Sequence, residues 1–152
     1  MSYVTSEARQ QLLDAVAEAA DEVGRALAAL GGAYEQLDDA SADRLETELF
    51  RPVQVAYGRI KRTHAEFADR HALPAHVFSS AEPGRPSQGV KGFLTAATDA
   101  VGRAQSLLST LQDSMMPVDV GDAELRAGLS ETRTLVGQTS ERARQFTRTL
   151  GR

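Results

Sequence analysis

The residues with the widest chemical repertoire at neutral pH are three histidines, His64, His71 and His76. Phe50, Tyr57, His64 and His71 recur at intervals of seven, so they form one row along a helix, flanking its buried seam. His64 and His71 stand two turns apart, about 10.5 Å by helical rise. One metal ion with bonds near ~2 Å cannot be chelated by both. His71 and His76 meet only if the segment after them folds back. Against any metal chemistry, His64 reads as a boundary residue and the other two as solvated. A lone axial haem ligand at His64 has no second feature behind it. An acid–base pair of Tyr57 and His64 is the weakest reading, because seven residues separate them on a straight helix.

Carboxylate chemistry fares no better. A di-iron or di-manganese site in a helical bundle needs inward-facing Glu and Glu-x-x-His. The sequence has no Glu-x-x-His, and the one carboxylate that falls on a seam is Glu46. A glycine-rich phosphate loop and a nucleophile elbow are both missing. There is no cysteine, which excludes disulfides and thiolate metal sites. No catalytic residue is assigned, no metal or cofactor is expected, and the chain does not read as an enzyme.

The elements that must position these residues are four long helices. Val90, Leu94, Ala97, Val101, Ala104, Leu108, Leu111 and Met115 are spaced 4, 3, 4, 3, 4, 3, 4, an unbroken heptad seam. The first helix repeats it with Leu13, Val16, Ala20, Val23, Leu27, Leu30, Tyr34 and Leu37. The second has Leu45 or Glu46, Leu49, Val53, Ala56, Ile60, Thr63 and Phe67. The last has Leu125, Leu129, Thr132, Val136, Thr139, Ala143, Phe146 and Leu150. Helices are expected at about 6–37, 42–72, 90–115 and 123–150. The caps are Thr5 or Ser6, the 38–41 turn, Ser87 and Asp122, and Gly151 is the final stop. The seam phase survives Gly31-Gly32, so the first helix is read as continuous there. Pro52 predicts a kink near Glu48 to Pro52.

The fold class expected is all-α, one antiparallel four-helix bundle in a single domain over 1–152, with up-down-up-down topology and left-handed packing. The 73–89 loop is the one long connection. It is long enough for either a neighbour or a diagonal crossover, and Val77 and Phe78 in it are candidates to plug the open end of the bundle.

Two surfaces for function follow. In that topology Gly24, Ala28, Gly102, Ala104, Thr132 and Gly137 lie about level with Pro52. The glycines and threonines then allow tight packing, each Thr bonding its own i−4 carbonyl. The alternative is a small-molecule pocket between the helices near Pro52, with Tyr57, His64, Thr132 and Thr139 as ligand-binding candidates. The same topology collects basic residues at the end holding both termini and the long loop, and acidic residues at the other. Arg59, Arg62, Arg70, Arg144 and Arg148 then form a possible interaction surface, though helix dipoles alone also draw cations to C-termini.

The net charge of −4 and pI near 5.4 argue against a nucleic-acid partner held by bulk charge. Arginine outnumbers lysine fifteen to two, a bias expected of a GC-rich genome rather than of phosphate binding. Apolar runs are far shorter than the ~20 residues of a membrane helix, and Met1 to Thr5 carry no secretory pattern. The expectation is therefore a cytoplasmic, non-enzymatic bundle acting through a protein partner or self-association, such as a homodimer. The small-ligand binder is the alternative.

Overall fold

The computed structural model describes residues 2–150, and every regular element among them is helical. Helix α1 spans Ser2–Tyr34, α2 Asp39–Leu45, α3 Arg51–Arg70, α4 Gly89–Asp113, α5 Met116–Asp119 and α6 Ala123–Leu150. α1 runs unbroken through Gly31-Gly32. Its first turn lies before Thr5 and Ser6, so neither is the N-cap, and Gly151 falls outside the described residues. Asp38 caps α2 by accepting the Ser41 N–H at 2.7 Å. Asp122 caps α6 by accepting the Leu125 N–H at 2.8 Å. Ser87 caps nothing. It sits inside a 3-10 turn, Pro86–Gln88, where Gln88 Oε1 accepts the Arg85 N–H instead.

Where the sequence predicts a kink, the structure has a π-helical turn, Glu46–Phe50, between α2 and α3. The Arg51 N–H reaches back five residues to Glu46 O. Pro52 has no N–H to give, and its ring crowds the carbonyl four residues earlier. The wider turn just before it keeps the chain helical, with Phe50 and Arg51 both in right-handed backbone.

The seams are the core. Leu13, Val16, Ala20, Val23, Leu30, Leu49, Val53, Ile60, Phe67, Leu94, Val101, Leu108, Leu125, Leu129 and Phe146 are all buried. Leu45, not Glu46, takes the contested seam position; Glu46 lies outside it beside Arg51. The seam ends fray, with Tyr34 and Met115 exposed. Met115 has φ 68°, and that reversal ends the α4 segment before Pro117 enters the one-turn α5. α1 buries a second row, Leu12, Ala19, Ala26 and Ala33, also spaced by seven.

The order of the helices around the core corrects the expected topology. α1 packs on α3 and α4, and α6 packs on the same two, so α1 and α6 face each other across a diagonal. At one end of α1, Arg9 Nε donates to Val120 O (3.1 Å), just beyond α4. At mid-length Arg103 pairs with Glu22 (2.9 Å), and past the other end Gln36 Nε2 donates to Pro86 O (2.8 Å), just before α4. α4 is therefore antiparallel to α1. α3 is antiparallel to α1, with Tyr57 against Gly24. α6 is antiparallel to α3, with Asp122 on Arg70 and the Arg44 guanidinium over the Phe146 ring. With α1 taken as up, the order is up-down-down-up, and Ser2 and Leu150 lie at opposite ends.

Every neighbouring pair is antiparallel, but the long connection is a diagonal crossover that runs the length of the bundle. Its span from 71 to 88 can stretch roughly 60 Å at ~3.3 Å per residue. α4 is only roughly 37 Å long at ~1.5 Å per residue. The plug at an open end is not there: Val77 is 85% exposed, and Phe78 packs on His64 along the side.

Close approach of α3 to α6 rests on one glycine. A Cβ at Gly128 would collide with the Thr63 side chain, which is itself fixed by its hydrogen bond to Arg59 O (2.8 Å). Gly58, exposed on α3, has nothing within 4 Å of such a Cβ. Gly128→Ala is expected to cost about 1–3 kcal/mol through overpacking. Gly58→Ala is expected to gain about 0.5–1 kcal/mol from helix propensity. Urea denaturation of the two variants beside the parent checks both signs.

Candidate functional site

The first histidine of the row is the one that the fold encloses. α3 turns His64 toward the crossover, where it is 1% exposed. Its Nε2 accepts the His76 N–H at 3.4 Å. The Phe78 ring stands edge-on to it at 5.0 Å and the His76 ring at 6.4 Å. His76 and Phe78 are themselves edge-on at 4.7 Å, and His76 Nε2 reaches Asp21 on α1 at 3.6 Å. Burial, helped by the neighbouring His76, lowers the His64 pKa below 6.5, and Asp14 and Asp21 pull only partly the other way. His64 is thus not a boundary residue: the crossover covers it. Among the described residues no group of three His, Cys, Asp or Glu could hold a metal ion.

His71 and His76 do not meet. His71 turns to the Phe67 ring (4.5 Å) and to Asp122, whose Oδ2 is 3.0 Å from its Nε2. Asp122 is the most heavily engaged carboxylate among the described residues. Arg70 grips it through two bonds of 2.8 Å, and it also accepts from the Leu125 backbone. Burial pushes its carboxyl up, but these donors outweigh that and hold it at about 2. One side chain ties the C-terminal end of α3 to the N-terminus of α6.

The four candidates for an intra-bundle pocket are each engaged separately. Thr132 and Thr139 are buried, and each bonds its own helix, at Gly128 O (2.8 Å) and Leu135 O (2.9 Å). Every buried side-chain polar atom among the described residues has a partner. Tyr57 lies on the α1 side, its ring filling the space over Gly24, with Lys61 Nζ 4.2 Å from the ring centre. Burial, with Asp21 nearby, raises its pKa. Gly102 and Gly137 line open surface grooves instead of the core.

The arginines are split by the topology. Arg59 pairs with Glu131 and also donates to Thr63 Oγ1 (3.0 Å); Arg70 is spent on Asp122. Arg62, Arg144 and Arg148 are exposed. Arg59, Arg62 and Arg70 belong to the end where α3 finishes, Arg144 and Arg148 to the end where α6 finishes. The expected single basic end does not form, because the start of α1 and the end of α6 lie at opposite ends of the bundle.

One cleft does lie near Pro52, on the outside. The last turns of α1 and the π-helical turn border it with Gly31, Tyr34, Glu35, Glu46 and Phe50. A Cβ at Gly31 would meet nothing within 4 Å, so the floor is open. Two aromatic rings and two carboxylates suit a cation carried on an apolar stem. Sequence reading assigned Tyr34 to the buried seam and so missed this cleft; Pro52 was the only signal of irregularity there.

No helix among the described residues is long and apolar enough to cross a membrane. Comparison with protein-family models, with curated proteins and with solved structures finds no match.

The Asp122 contact has a definite pH sign. A carboxyl whose pKa falls from 3.8 to about 2 on folding stabilises the fold above 3.8, and that contribution fades as pH drops toward 2. Asp122→Asn should lower stability by about 1–2 kcal/mol at pH 7, after discounting for solvent screening. The gap between variant and parent should shrink between pH 4 and pH 2, read from urea midpoints across that range.

Proposed function

We propose that this chain is a non-enzymatic helical-bundle protein that works by protein–protein contact, with the α1–π-turn cleft receiving a basic side chain of its partner. The observation that carries this reading is the contrast between core and surface. Among the described residues every buried side-chain polar atom has a partner. The cleft by contrast presents Tyr34, exposed, and Phe50, half-buried, beside Glu35 and Glu46. Glu46 meets Arg51 only loosely, at 3.8 Å and on the surface, so an incoming guanidinium can displace that contact at little cost. A second copy of the chain is a partner of this kind, since Arg62, Arg144 and Arg148 are exposed arginines.

The small-ligand alternative keeps one supporting feature, the same cleft, now outside the bundle. It differs in needing no protein partner. Titration of isotope-labelled protein with an arginine-rich peptide, and separately with free arginine amide, tests the reading by NMR. The peptide is expected to move the Gly31, Tyr34 and Phe50 signals. Its affinity should fall tenfold or more in Tyr34→Ala and in Glu46→Gln, and again in high salt. Signals that ignore the peptide, in a protein that stays monomeric by sedimentation at high concentration, would sink the proposal. Free arginine amide binding as well as the peptide would favour the small ligand.

A further inference from the structure

The crossover is fastened to the bundle at His64. The ring is buried, its Nε2 accepts the His76 N–H at 3.4 Å, and Phe78 and His76 close over it edge-on. A ring nitrogen that accepts a hydrogen bond carries no proton, so this contact exists only while His64 is neutral. Once Nε2 is protonated, two N–H groups face each other. We propose that His64 is an acid-sensitive catch, whose protonation releases the segment from Leu73 to Phe78 from its seat on α1 and α3 while the four long helices stay packed.

The groups acting on the ring are few. Asp14 and Asp21 reach it from α1 and favour the cation; His76 reaches it from the crossover and opposes it, as does burial, the largest influence. Lys61, one turn back on α3, is turned to Tyr57. The direction of the pH effect follows. Above pH 6.5 the ring is neutral whether the segment is seated or released, and the catch holds fully. Below 6.5 the released ring takes a proton that the seated ring refuses. The seated state then loses ground about tenfold per pH unit until the seated ring itself titrates.

His76 Nε2 also lies 3.6 Å from Asp21 Oδ2, with both side chains about two-fifths exposed, so this contact adds little to the hold on the segment. Release gives up the Leu73 N–H bond to Ala68 O (2.9 Å) and the packing of Leu73 and Phe78 on the core. Val77 is in solvent, and the backbone of residues 74–84 belongs to no helix. Opening would bare the His64 face of α3, which the segment covers at neutral pH.

Amide exchange by NMR between pH 7.5 and 5.0, corrected for the intrinsic pH dependence of exchange, tests the catch. Protection of the His76 amide should fall about tenfold per unit below 6.5, while core amides such as Leu108 keep theirs. In His64→Phe, which retains a ring but cannot titrate, made together with His76→Gln so that no imidazole faces the reporter, the Phe78 ring shifts should not respond to pH in this range. Flat His76 protection in the parent, or the same pH response of Phe78 in that double variant, overturns the proposal. Should that variant not fold, the His64 ring signal is titrated in the parent beside Phe78. A shared midpoint supports the catch, and a Phe78 signal unmoved through the His64 titration refutes it.

Discussion

Most of this structure depends on α1 burying two faces at once. Its seam residues Leu13, Val16, Ala20, Val23 and Leu30 and its parallel row Leu12, Ala19, Ala26 and Ala33 are all sealed from water, so α1 needs a helix on each side. α3 arrives on one side through a short turn. The other is closed by α4, which shares the most extensive helix–helix contact of the molecule with α1. At ~25 cal/mol per Å² of apolar surface, leaving that second row in water would forfeit far more than the entropy of extending one loop, which grows only with the logarithm of its length. The crossover is a consequence of that balance, and the seat of Phe78 and His76 on His64 is a consequence of the crossover.

The same balance explains where the polar chemistry went. Small residues that could have lined a cavity serve close approach instead: Gly24 beneath Tyr57, Gly32 beneath Phe93, Gly128 against Thr63. Seam threonines return their hydroxyls to the preceding turn of their own helix, the cheapest way to satisfy a buried hydroxyl. The irregularity that Pro52 imposes is absorbed by a π-helical turn and opens outward, beside Tyr34 and Phe50, leaving the core undisturbed.

Electrostatics then fixes the ends. Asp122 meets a helix N-terminus, a guanidinium and an imidazole together, so it joins α3 to α6 at the same point where it starts α6. The remaining cations are distributed over both ends, which leaves no single basic pole but provides exposed arginines and an acidic, aromatic cleft on one molecule.

What the sequence determined by itself was local. The 4-3 spacing located the long helices because that period is written within each segment and needs no partner to be read. Asp122 announced a helix start because a cap acts on N–H groups two or three residues away; the expected 38–41 turn does hold the other cap, at Asp38, but residues 39–41 already belong to α2. The i−4 bonds of Thr132 and Thr139 were legible for the same reason. Ser87 and Thr5 failed as caps because neighbouring turns offered the backbone other arrangements, and Tyr34 failed as a core residue because its seam outran its partners. Tertiary structure alone decided the direction of α4, the burial of His64, the division of the arginines between two ends and the existence of the cleft. Four seams of alanine, leucine and valine are nearly interchangeable as partners, and the residues from 71 to 88 are long enough to return to the same end or to travel to the other. Only the packing of α4, and not α6, on the second face of α1 separates those outcomes, and no stretch of the chain states it alone.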